Sequence, residues 1–153
     1  MKNMGYSLKQ QSGAMLLEAL VAILIFSLGV LAIVGMQAAA VNNSTESRYR
    51  SDATLLANQL IGQMWTGDRT LATLVANFEG GQGATDGPLY TAWVGNLSTP
   101  GTVQYALPVA DPSTPAPYVK FGADSSVEIR VFWKAPSDTG STPHKYTIVA
   151  QIK

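Results

Sequence analysis

From Ala19 to Met36 the chain runs for 18 residues in which Ser27 is the only polar side chain, with Gly29 and Gly35 interrupting the aliphatics. As a helix rising about 1.5 Å per residue, this stretch is about 27 Å long, enough to cross the hydrocarbon of a bilayer with little tilt. Just ahead of it stands Glu18, the only charge between Lys9 and Glu46. A carboxylate in hydrocarbon costs about 2–3 kcal/mol even on forgiving insertion scales, so its position calls for a partner. Gly13 closes a short polar leader that holds Lys2 and Lys9, and no acid precedes Glu18. Cutting the chain after Gly13 creates an ammonium at Ala14, which can neutralise the Glu18 carboxylate within a chain or between neighbouring chains. A peptidase at the membrane surface needs an extended scissile backbone, and a residue without Cβ lets it approach closely. The basic residues ahead of the apolar run keep that end in the cytoplasm, with the remainder carried across.

Helical character is expected to continue past the membrane edge. Gln37 to Trp65 holds no proline and only one glycine, Gly62. Ala53, Leu56, Ala57, Leu60, Ile61 and Met64 recur at three- and four-residue intervals, opposite Arg48, Arg50, Asp52, Asn58 and Gln63. That is the pattern of an amphipathic helix lying on a domain, and Gly67 is a plausible stop.

Asp68 to Lys153 reads as globular. Asp68 is placed to cap a short helix bearing Leu71, Leu74, Val75 and Phe78, and a second is expected from Pro88 with Leu89, Trp93 and Leu97 on one face. The period then falls to two, predicting strands at Val103–Leu107, Tyr118–Phe121, Val127–Trp133 and Tyr146–Ile152. The last two are joined by the polar loop Ala135–Pro143 as an antiparallel hairpin. Trp65, Trp93 and Trp133 are read as core. The fold class expected is α+β: a long helix, membrane-spanning then amphipathic, packed on a small domain of short helices and antiparallel sheet. Its divisions are a leader at 1–13, a helix at 14–67 with 14–36 in the membrane, and a globular part at 68–153.

Composition narrows the chemistry. Charged residues are 13 % with a formal net charge of zero, so there is no basic patch for nucleic acid. The absence of cysteine removes disulfides and thiolate metal sites, and one histidine, His144, leaves no His-based metal cluster. His144 is read as a solvated side chain at a strand start. No G-x-S-x-G elbow or catalytic dyad stands out, so no catalytic residue, metal ligand or cofactor is assigned and the chain is not read as an enzyme. Asn42, Asn43 and Asn96 begin short glycosylation-like triplets, which carry little weight.

The string Ser12-Gly13-Ala14-Met15-Leu16-Leu17-Glu18-Ala19-Leu20-Val21-Ala22 resembles the amino terminus of type IV prepilins. Leu28-Gly29-Val30-Leu31-Ala32-Ile33-Val34-Gly35-Met36-Gln37, then Arg48-Tyr49-Arg50-Ser51 and Leu55-Leu56-Ala57, looks most like the minor pilins called PilV. The resemblance covers about the first 65 residues of the chain. It implies leader cleavage between Gly13 and Ala14, N-methylation of Ala14, and Glu18 as the filament-assembly carboxylate. It implies as partners a prepilin peptidase/N-methyltransferase, an inner-membrane assembly platform, other minor pilins and the major pilin, with membrane lipid before assembly. The places implied are the inner membrane, with the C-terminal part periplasmic, and the extracellular pilus. Ala14 stands where phenylalanine is usual and Met15 where threonine is usual, and there is no cysteine to close a C-terminal loop. Three other readings stay open: a pseudopilin of a type II secretion system, a membrane-anchored periplasmic binding domain or enzyme, and an ordinary signal peptide cut after Ala38-Ala39-Ala40.

Overall fold

Lipid offers no hydrogen bonds to a backbone, so an apolar run that enters it must satisfy its own amides, and a helix does so. In the computed structural model the run lies within α1, Ser12–Thr66, which ends beside Gly67. The structure describes residues 12–108, 114–136, 138–140 and 142–153. The leader readings at Lys2 and Lys9, and parts of the stretch Asp111–Pro117 and of the loop Ala135–Pro143, lie outside them. The chain is α+β: α1 is followed by α2 (Leu71–Phe78), α3 (Pro88–Val94), α4 (Val103–Ala106), β1 (Tyr118–Phe121), β2 (Ser126–Trp133) and β3 (His144–Gln151). The chain divides into two units, Met1–Asn42 and Asn43–Lys153.

In the first unit the described apolar side chains of α1 are exposed all round; Phe26 is 72 % accessible and Leu31 68 %. The second unit holds the core. There the stripe of α1 predicted from its spacing is buried: Ala53, Leu56, Ala57, Leu60 and Met64, with Ile61 half-buried beside them. A three-stranded antiparallel sheet in the order β1-β2-β3 supplies a second part of this core, and the short helices add Leu74, Phe78, Tyr90, Trp93 and Val103. Val127, Ile129, Val131 and Trp133 of β2 are fully buried, and Tyr146, Ile148 and Ala150 of β3 pack against them. Pairing runs from Val127 opposite Ala150 to Trp133 opposite His144, so the inward face of one strand meets the inward face of the next. On the outer face Arg130 pairs with Glu128 at 2.6 Å and lies over the Tyr118 ring.

Polar groups of two core aromatics fix the short helices. Trp93 donates its indole N–H to the Leu56 carbonyl at 3.0 Å, tying α3 to α1. Tyr90 donates its hydroxyl to the Pro117 carbonyl at 2.7 Å, tying α3 to the segment entering β1. Gly80 exchanges backbone hydrogen bonds with Val119 of β1 at 3.2 and 3.0 Å. A Cβ at Gly80 would sit 2.3 Å from the Tyr90 ring, so only glycine lets the chain pass that close.

Four local expectations are corrected. Val103 to Leu107 is not a strand: α4 occupies Val103–Ala106, burying Val103 and leaving Tyr105 54 % exposed. The four-residue spacing of Val103 and buried Leu107 fits a helical turn as well as two strand periods, and one turn suffices to bury both. In α3 the buried residues are Tyr90 and Trp93, not Leu89 and Leu97; the helix stops at Gly95, whose φ of 63° breaks it before Leu97. Trp65 is 46 % exposed, with the Arg69 guanidinium over its ring, rather than core. His144 is half-buried and engaged on both sides, not solvated. Asp68 does act at the start of α2, accepting the Thr70 N–H at 2.9 Å and the Thr73 hydroxyl at 3.0 Å, while Thr70 occupies the N-cap position itself. The Thr70 backbone bond, and then the Thr73 hydroxyl, hold the Asp68 carboxyl below its ordinary value.

Two outcomes test this packing on the full chain in detergent micelles. Leu60→Ala, at a fully buried site, should cost about 3 kcal/mol in chemical denaturation, whereas exposed Leu55→Ala should stay within about 0.5 kcal/mol. Equal losses would mean that the buried stripe is misplaced. Burial, with Asp86 adding to it, pushes the Tyr90 phenol up to about 12. Its neutral form is therefore the one the fold favours, so its contribution is complete below about pH 10 and lost as pH rises toward about 12. Tyr90→Phe should cost about 1 kcal/mol near neutrality by losing the Pro117 bond. It should also shrink the alkaline loss of stability, and an unchanged alkaline limb in melting curves would refute the assignment.

Candidate functional site

The residues singled out at the amino terminus lie in the opening turns of α1. The first turn of a helix has no intrahelical acceptors for its N–H groups, so it unwinds at little cost. Gly13 and Ala14 fall in that turn, and both are exposed. The bond between them is therefore helical here, yet only one turn has to open to present it in extended form, and Gly13 adds conformational freedom.

Ala14 and Glu18 are separated by one helical turn, the spacing that places two side chains on the same face. Glu18 is exposed and has no hydrogen-bond or ion-pair partner among the described residues. The other polar side chain nearby behaves differently. Ser27 donates its hydroxyl to the Ile23 carbonyl at 2.7 Å, one turn back, so the helix itself satisfies it. From Ala14 to Met36, then, Glu18 is the one side chain whose polar demand α1 does not meet from within.

The surface around Glu18 is continuous and apolar. Met15, Leu16 and Leu17 are 65–71 % exposed, and Leu20 to Met36 follow without burial. A Cβ at Gly29 or Gly35 would meet nothing within 4 Å, so neither glycine serves a close approach inside the chain. Among the described residues, one helix is long and apolar enough to cross a membrane. Among the described residues, no group of three or more His, Asp or Glu side chains is placed to hold a metal ion. Comparison with protein-family models, with curated proteins and with solved structures finds no match.

The structure also brings together residues that the sequence pattern kept apart. Glu46 of α1, Trp133 of β2 and His144 of β3 meet at one corner of the second unit. Glu46 is one of several polar residues on its stretch of α1, and His144 begins a strand whose period explains its neighbours. No spacing rule links them; being the single histidine was the only signal His144 carried.

Proposed function

We propose that this chain is a minor pilin: after leader cleavage between Gly13 and Ala14, it joins a type IV pilus and helps to prime assembly or form the filament tip. The reading is carried by one observation: a helix apolar on every side for about the thickness of a bilayer's hydrocarbon, whose single unmet charge stands one turn from the proposed cleavage position. Such a helix needs surroundings as apolar as itself, and lipid before assembly and like helices afterwards both provide them.

The chemistry is charge neutralisation, and the geometry of α1 explains why the acid stands where it does. Cleavage leaves an ammonium on Ala14 at the positive end of the helix dipole, an unfavourable place for a cation. A carboxylate one turn along relieves that ammonium, and the ammonium removes the cost of the carboxylate in turn. When the Glu18 of an incoming subunit meets the Ala14 amine of its neighbour, both charges leave lipid paired. Pairing also fixes how far the two helices slide past one another. N-methylation of Ala14 keeps the charge and adds apolar surface.

Intact mass and amino-terminal sequencing of the mature protein test the first step. A chain starting at Ala14 is expected; one starting at Met1 or Val41 would overturn the reading in favour of a simple anchor or a secreted product. Glu18→Ala tests the second. Membrane insertion and cleavage should be unaffected, while incorporation into sheared pili should drop about thirtyfold for a lost pairing of about 2 kcal/mol. Normal incorporation of that variant would remove Glu18 from the mechanism.

A further inference from the structure

The corner where α1 meets the β2–β3 hairpin holds an imidazole between two carboxylates. His144 Nδ1 lies 3.2 Å from Glu46 Oε1, and His144 Nε2 lies 2.7 Å from Asp138 Oδ2. The ring stacks on Trp133 at 5.8 Å between centroids and 16° between planes, so its orientation is set by an aromatic neighbour. The Trp133 indole N–H in turn donates to Glu46 Oε2 at 3.1 Å. Glu46 Oε1 is buried and accepts no hydrogen bond, which leaves one acceptor facing one ring nitrogen.

A neutral imidazole carries one N–H and one lone pair. In this arrangement one nitrogen would aim its lone pair at a carboxylate oxygen, whichever tautomer formed. An imidazolium donates at both nitrogens and answers both acids, including the oxygen of Glu46 that is otherwise unmet. Among the described residues, the charged groups that meet the ring are Glu46 from α1 and Asp138 from the hairpin loop; Trp133 of β2 contributes no charge, and Lys145 lies on the exposed face of β3.

We infer that Glu46, Asp138 and His144 form a proton-operated clasp: with His144 charged, the hairpin end is tied to α1, and loss of that proton releases it. The inference rests on geometry inside the unit Asn43–Lys153 and is independent of the pilin reading. Only the imidazolium can donate to both carboxylates at once, so the clasp is closed in acid and released as the solution turns alkaline.

His144 is the only histidine, so a pH response of the fold near neutrality has few other sources. Melting of the full chain in detergent micelles should be higher at about pH 5.5 than at about pH 8 by about 4 °C. Amides at the start of β3 should exchange faster at the higher pH. His144→Asn should flatten the pH response. Glu46→Gln, which keeps the histidine and the shape of its partner, should reduce the response without abolishing it. An equal pH response in wild type and His144→Asn would overturn the inference. So would a full response in Glu46→Gln, because the ring would then titrate without α1.

Discussion

Burial of one stripe of α1 under the sheet decides where everything else in the second unit can sit. Ala53, Leu56, Ala57, Leu60 and Met64 are one face of a helix, and alone they expose apolar surface to water. The sheet covers them because β2 is buried at every second residue and β3 continues the same face in register. Trp93 and Tyr90 then use their polar atoms to reach the backbone of α1 and the entry to β1, where a purely aliphatic side chain would fill space without fixing direction. Ala53, Ala57, Leu60 and Met64 are all fully buried along that stripe.

What the sequence made legible follows from how strongly each pattern is constrained. The α1 stripe and the two long strands repeat over many residues, and a single shift of phase would move a whole apolar set into water. Those elements were read with their faces correct. The short segments are different. Five residues from Val103 to Leu107 contain too few repeats to separate a turn of helix from a strand, and the outcome depends on what the core needs there. In α3, spacing alone favoured Leu89, Trp93 and Leu97, but Gly95 with its positive φ ends the helix first and Tyr90 takes the inward place. The placing of Gly13, Ala14 and Glu18 within two turns of one helix was legible because their spacing is local. The Glu46–His144 contact was not, because it depends on the closing of the hairpin and on the rotation of α1 beneath it.

α1 carries acids in two contrasting surroundings, and the comparison clarifies what each one needs. In the second unit, Glu46 has one oxygen bonded by the Trp133 indole and the other facing an imidazole, so the fold itself supplies both partners. In the first unit, Glu18 stands on an apolar helix with no side chain of the described chain to answer it. A hydroxyl in the same region, Ser27, is satisfied by the carbonyl one turn back. A carboxylate has no such recourse, because a helical carbonyl repels it and helical N–H groups beyond the first turn are already used. An acid of this kind is stable in an apolar setting only if a cation is delivered to it.

In the proposed reading the chain's own backbone delivers that cation, which is economical in physical terms. A lysine placed nearby would add a second long side chain whose ordering costs entropy, and it would burden the apolar helix with a permanent charge during insertion. An α-amine made by cutting the chain has no side chain to order and appears only once the cut is made. It would also lie at the very end of the helix, where it could reach across to Glu18 of a neighbour. Under the proposed pilin reading, such an arrangement would make the charge complement of α1 conditional on processing and would separate the inserted precursor from the subunit ready to assemble.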